Sequence, residues 1–132
     1  MQDLARLNSI FNDVDETAEA ISSRMDDPAC AEMPIVALTE NQVVGFAGLR
    51  IVPNIFYPGA HAEITELFVE EPHRRQGIAS ALLRYAEEIA QSRSAKEIVL
   101  HTSDDNQAAR KFYEAMGYGE WALVLGRELT NV

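Results

Sequence analysis

The chain has little that could hold it together covalently. Its single cysteine, Cys30, cannot form an internal disulfide, which fits a reducing, cytoplasmic setting. No His, Arg or Lys stands close enough in sequence to activate that thiol, so a structural role is preferred to a nucleophilic one. No apolar run approaches the roughly 18 residues of a membrane span, and Met1 to Arg6 lack the basic start and long apolar core of a secretory signal. A membrane partner is therefore not expected. Bases are scarce: 11 Lys and Arg face 21 Asp and Glu, giving a net charge of −10. Residues 1–40 carry nine acids against Arg6 and Arg24, a net −7 of that total. Such a chain repels phosphate backbones, so nucleic acid is not an expected partner. A cationic small molecule or basic peptide suits it better, unless the carboxylates serve only to keep helices solvated. His61, His73 and His101 have no metal-ligand spacing, and no Gly-Lys-Ser/Thr phosphate loop is present.

At 132 residues the chain reads as one domain, 1–132. Leu4, Leu7, Phe11 and Val14 recur at helical steps, and Ile21 with Met25 continues the stripe after a break near Asn12-Asp13. Two short helices are predicted, the second opened by an Asp13/Glu16 capping box and ended by Pro28. Pro34–Thr39 and Val43–Val52 are rich in apolar, largely β-branched residues around Glu40-Asn41-Gln42 and read as a hairpin. Pro53–Gly59 is a loop with exposed aromatics, followed by a strand from His61 or Ala62 to Val69. A helix over Ile78–Ser92 follows, then a strand over Glu97–His101 and a polar loop over Thr102–Asn106. The last elements are a helix through about Met116, ended by Gly117, and a final strand over Trp121–Leu129.

Between the strand ending at Val69 and the helix opening at Ile78 lies Arg74-Arg75-Gln76-Gly77-Ile78-Ala79. A helix start offers unpaired N–H groups and partial positive charge, so it attracts anions. Gly77 lets a ligand approach the backbone, Ala79 keeps the next turn thin, and Arg74 and Arg75 add charge-assisted donors. Alone, the segment reads equally well as an exposed basic turn.

About thirty residues later stand Asn106, Ala109, Phe112-Tyr113 and Gly117-Tyr118. With both constellations present the chain resembles the GNAT superfamily of N-acetyltransferases. Arg74, Gly77 and Ala79 match its acetyl-CoA signature, and the later residues match its Asn loop and its aromatic pair followed by Gly-Tyr. The resemblance spans roughly residues 34 to 129. It implies an α/β (α+β) fold: a mixed, mostly antiparallel sheet, splayed at the acetyl-CoA cleft and flanked by about four helices. Acetyl-CoA is the implied cosubstrate, with no metal. Backbone at Leu67 and Val69 would pair with the pantetheine arm, and Arg75, Gln76, Gly77, Ala79 and Ser80 would bind the pyrophosphate beside Arg74. Asn106 would reach the pantetheine from the other side.

Acetylating an amine requires its free base. A lysine-like amine has a pKa of about 10.4, so deprotonation at pH 7 costs roughly 4.6 kcal/mol. A carboxylate lowers that cost, and Glu63 and Glu66 are the candidates. Strand periodicity places them on opposite faces, so that one of them looks into the cleft. Glu66 lies beside the acetyl position implied at Leu67 and is preferred. The Ala62-Glu63-Ile64 context resembles histone-type members, in which such a glutamate acts through water, so Glu63 stays open. Tyr113 would protonate the thiolate leaving group, or else pack beneath the cofactor.

The resemblance departs at both ends. The family's first strand has no counterpart before the first helix, which leaves Pro34–Thr39 as an edge and invites a homodimer. Gly119–Leu129 is shorter than the usual terminal hairpin. The expected function is acetyl transfer from acetyl-CoA to a primary amine of a cationic small molecule or peptide, by direct attack in a ternary complex. The alternative is a non-catalytic acyl-CoA-binding regulatory module.

Overall fold

The computed structural model describes residues 1–130. They form two compact units, the first over residues 1–100 and the second from residue 101 onward. In the first unit the order is α1 (Gln2–Asn12), α2 (Ala18–Met25), β1 (Glu32–Thr39), β2 (Gln42–Pro53), β3 (Ala60–Val69), a 3-10 turn (Glu71–His73), α3 (Ile78–Ser92) and β4 (Ala95–Leu100). The second unit holds α4 (Gln107–Ala115). Among the described residues no helix is long and apolar enough to cross a membrane.

The sheet runs β1-β2-β3-β4, with the first two pairings antiparallel and the last parallel. It is the mixed, mostly antiparallel sheet expected from the sequence, with β1 at one edge. The hairpin joining β1 to β2 turns through Glu40 (φ 52) and Asn41 (φ 64). Two successive left-handed residues match the right-handed twist of the flanking strands.

Each face of the sheet carries a helix. On one, Leu4 and Leu7 of α1 bury against Phe46, with Val43 and Phe68 beside them. Phe11 stacks on Phe68 at 5.1 Å and meets Phe46 edge-on at 6.1 Å. Arg6 ties α1 to Glu70 through two oxygens at 3.2 and 3.3 Å. Strand alternation turns Ala47 and Leu49 to the other face. There α3 packs on β2 and β3 and buries Leu82, Leu83, Ala86 and Ala90. Leu7, Leu49 and Leu83 are wholly buried, and each such side chain stabilises the fold by about 1.5–3 kcal/mol.

Three expectations are corrected. Asp13 does not open α2: it ends α1 in the left-handed conformation (φ 52), and Thr17 caps α2 by accepting from the Ala20 N–H at 3.0 Å. A capping-box spacing cannot act where its first residue is already closing another helix. Trp121–Leu129 forms no strand, and Trp121, Leu123 and Leu125 are exposed. Its residues favour strand, but its own unit supplies no ladder for them to join.

The third correction concerns β3. Glu66 lies opposite Gly48 and Ile64 opposite Leu49, so two residues of β3 span one residue of β2. Thr65 is the extra residue of a β-bulge. Glu63 lies opposite Arg50, two residues from Gly48 on the unbulged strand. Glu63 and Glu66 therefore share a face, where simple alternation would have separated them.

Candidate functional site

Residues 70–80 link β3 to α3. The 3-10 turn is closed by Arg74 N–H on Glu71 O at 3.2 Å. The Arg74 side chain folds back: Nε donates to Val69 O at 2.8 Å, and the guanidinium lies 5.5 Å from the Phe68 ring centroid. Arg75 (φ 64) and Gly77 (φ 81) are left-handed. Arg75, Gln76 and Gly77 are exposed, while Ala79 and Ser80 are half-buried.

Gly77 is the N-cap of α3, with no side-chain cap and no acid in the first turn. The first intrahelical bond runs from Ala81 N–H to Gly77 O at 3.0 Å. The N–H groups of Ile78, Ala79 and Ser80 thus precede the helix ladder. A Cβ built on Gly77 meets nothing within 4 Å, so space is open in front of them. Open space, uncapped N–H groups and an adjacent arginine suit an anionic ligand.

The neighbouring edge of β3 is also open. β4 pairs with β3 from Ala60 to Ile64 and ends there, at Leu100. Thr65–Val69, which include Leu67, run on beyond it. Past Ile64 this edge of β3 has no paired strand among the described residues, and an extended ligand could continue the ladder where β4 stops. The Val69 carbonyl already accepts from Arg74.

The two glutamates share a face but not an environment. Glu63 receives Arg50 Nη2 at 2.6 Å. Glu66 lines a cleft of about 230 Å³ with Leu4, Ile21, Met25, Glu32 and Phe46. Loss of water there pushes the Glu66 carboxyl above the ordinary range; a hydrogen bond from Asn12 opposes this, and the charge of Glu32 adds to it. The surroundings of Glu66 thus raise its affinity for a proton.

The second unit places the later motif. Asn106 caps α4, its Oδ1 accepting from the Ala109 N–H at 3.1 Å. At the other end Gly117 (φ 96) donates to Glu114 O at 3.0 Å, and Tyr118 N–H to Tyr113 O at 2.9 Å. This is a Schellman cap, and it sets the Tyr118 ring 6.1 Å from that of Tyr113. The Phe-Tyr and Gly-Tyr pairs thus fix one local structure. Burial raises the Tyr113 phenol above its ordinary value, keeping it protonated.

Sequence reasoning missed Glu32, Arg50 and Thr65. Thr65 Oγ1 donates to Glu32 Oε2 directly above Gly48. A Cβ at Gly48 would collide with Thr65 Oγ1 and come within 2.8 Å of Glu32 Oε2. A glycine inside a strand run is the one sequence signal for such a close approach.

The family model described as "Acetyltransferase (GNAT) family" matches residues 2–118. The chain is 35% identical to human N-acetyltransferase 8 over 83 residues, 63% of this chain and 37% of that protein. It is 32% identical to the uncharacterized N-acetyltransferase YycN of Bacillus subtilis over 92 residues, 70% of this chain and 58% of that protein. It thus spans less than two thirds of the length of either relative. In fold it is similar to an aminoglycoside acetyltransferase from an uncultured soil metagenomic sample. The TM-score is 0.82 at 19% identity, covering 97% of this chain and 87% of that one.

Proposed function

The chain belongs to the GNAT acetyltransferase family, and from that premise we propose that it transfers an acetyl group from acetyl-CoA to a primary amine by direct attack. The observation that carries the reading is the uncapped start of α3 at the left-handed Gly77, next to a β3 edge that outruns β4. Relatives named as N-acetyltransferases support nitrogen as the acceptor atom.

In this reading acetyl-CoA supplies the activated acyl thioester. The N–H groups of Ile78, Ala79 and Ser80 bind its pyrophosphate with Arg75 and Gln76, and Gly77 leaves room for it. Arg74 serves from behind by holding the turn to Val69. The β3 edge at Leu67 and Val69 continues its ladder along the pantetheine, and the Asn106 amide adds a donor. Glu66 takes the amine proton, and its raised carboxyl pKa supports that choice over Glu63, which Arg50 holds. Tyr113 gives its proton to the departing sulfur, and burial keeps its phenol in the protonated form that this role needs. A cationic acceptor suits the net −7 of residues 1–40.

In this reading residues 1–132 make one acetyltransferase domain. The exposed single thiol of Cys30 fits a reducing cytoplasm, and the β1 edge offers a homodimer contact.

Release of free CoA thiol from acetyl-CoA, measured with and without polyamines, aminoglycosides, amino acids and basic peptides, tests the proposal. Amine-dependent release is expected. CoA binding without any amine-dependent release would turn the reading to a regulatory acyl-CoA-binding module, and no CoA binding would overturn both.

A further inference from the structure

We propose that Glu32 is a specificity-determining residue, forming with Glu66 a two-carboxylate clamp for the ammonium group of a compact amine with an apolar body. This deepens the preceding reading and rests on the cleft of Glu66 being where the acceptor enters. The cleft, at about 230 Å³, is smaller than the roughly 300–1,000 Å³ that drug-sized ligands occupy. Its walls are largely apolar, with Leu4, Ile21, Met25 and Phe46 among them. Arg24, the cation on its wall, is tied to Glu16 at 3.1 Å.

Glu32 is an exposed residue of β1, and its carboxyl is placed by the hydroxyl of Thr65. The bulge pushes Thr65 out beside Glu66, and Thr65 Oγ1 takes Glu32 Oε2 above the bare backbone of Gly48. The Glu66 Cγ lies 3.4 Å from the same built Cβ position. The charge of Glu32 acts on Glu66 across this glycine; Arg50, opposite Glu32 on β2, is held by Glu63 at 2.6 Å, and a cation between Glu32 and Glu66 relieves their repulsion. An ammonium group is therefore favoured over a hydroxyl of the same shape, and the apolar walls favour a hydrocarbon body over a second charge.

Cys30 lies on the same wall and is the chain's only thiol, so its alkylation reports occupancy of the cleft without turnover. The probes are phenethylammonium chloride and its neutral isostere 2-phenylethanol, each titrated against the rate of Cys30 modification by iodoacetamide. Phenethylammonium should protect Cys30 at concentrations about tenfold lower than the alcohol does, and Glu32→Gln should remove about that tenfold advantage. Thr65→Val, which frees Glu32 without removing its charge, should remove part of it. Equal protection by both probes, no protection by either, or a Glu32→Gln variant that behaves as the unmodified chain would overturn the clamp. Calorimetry with acetyl-CoA on the same proteins separates the two readings. CoA binding by Glu32→Gln shows that the variant is folded, and absence of binding by the unmodified chain counts against the acetyltransferase reading while protection alone judges the clamp.

Discussion

Glu63 and Glu66 point from the same face of β3, one opposite Arg50 and one opposite Gly48, because Thr65 occupies an extra place between Ile64 and Glu66. Arg50 holds Glu63 at 2.6 Å, while Glu66 sits desolvated beside a second acid. The pair offers one carboxylate held in an ion pair and one partly desolvated in the cleft.

Glu66→Gln should lower kcat by about 10²-fold or more, as loss of a general base does. The same change should leave the fold as stable or more stable at neutral pH. The carboxyl value is raised above 4.5 in the folded chain, so its favourable contribution is full below 4.5 and is lost as pH rises through Glu66's own value. Thermal unfolding at pH 4 and pH 8 checks the sign: the variant should gain on the unmodified chain at pH 8, and a loss there would contradict it.

Gly77→Ala should cost about 1–2 kcal/mol of stability, because an L side chain is strained at φ 81. No neighbour would be struck, since the built Cβ points into open space. A fall in CoA affinity at temperatures where the variant remains folded would therefore report a ligand occupying that space. Urea denaturation and CoA calorimetry, run together, measure the two effects.

Tyr113→Phe should reduce kcat by about 10²-fold with CoA affinity unchanged, because the proton-donating hydroxyl is removed and the ring is kept. Its ring contacts with Phe112 and Tyr118 persist in the variant. Unchanged turnover would return Tyr113 to a packing role.

Asn106→Asp keeps an oxygen for the Ala109 N–H but removes the amide donor. Stability should hold while CoA affinity falls by roughly 0.5–1.5 kcal/mol, the net worth of one hydrogen bond. Asn106→Ala should lose about 1 kcal/mol of stability as well. An Asp variant with unaltered CoA affinity would leave Asn106 as a helix cap alone.

What the sequence could reveal was what neighbours in sequence decide. The start of α3 follows from Ile78, Leu82, Tyr85 and Ile89 at helical steps after a glycine, and the structure runs the helix from Ile78 to Ser92. The hairpin at Glu40-Asn41 and the stop at Gly117 are equally local. The bulge was hidden because it exists only in the pairing of β3 with β2, and nothing within Ala62–Val69 distinguishes Thr65 from an ordinary strand residue. Asp13 and Thr17 both have capping chemistry, and the choice between them depends on where α1 runs out. Trp121–Leu129 has the composition of a strand, yet a strand also needs a partner in register. The anion turn and the aromatic pair were each legible as motifs; the second carboxylate on β1 was not, being 34 residues away from Glu66 in sequence.

The bond from Arg74 to Val69 bears on heat and entropy as well as on geometry. An arginine that reached for a phosphate only on encounter would have to be immobilised at that moment, at roughly 0.5–1.5 kcal/mol for such a side chain. Here the guanidinium is already anchored to the strand that the turn leaves, over the Phe68 ring. Arg74 is already held when the chain folds, so a ligand binding at this turn would not have to immobilise that side chain.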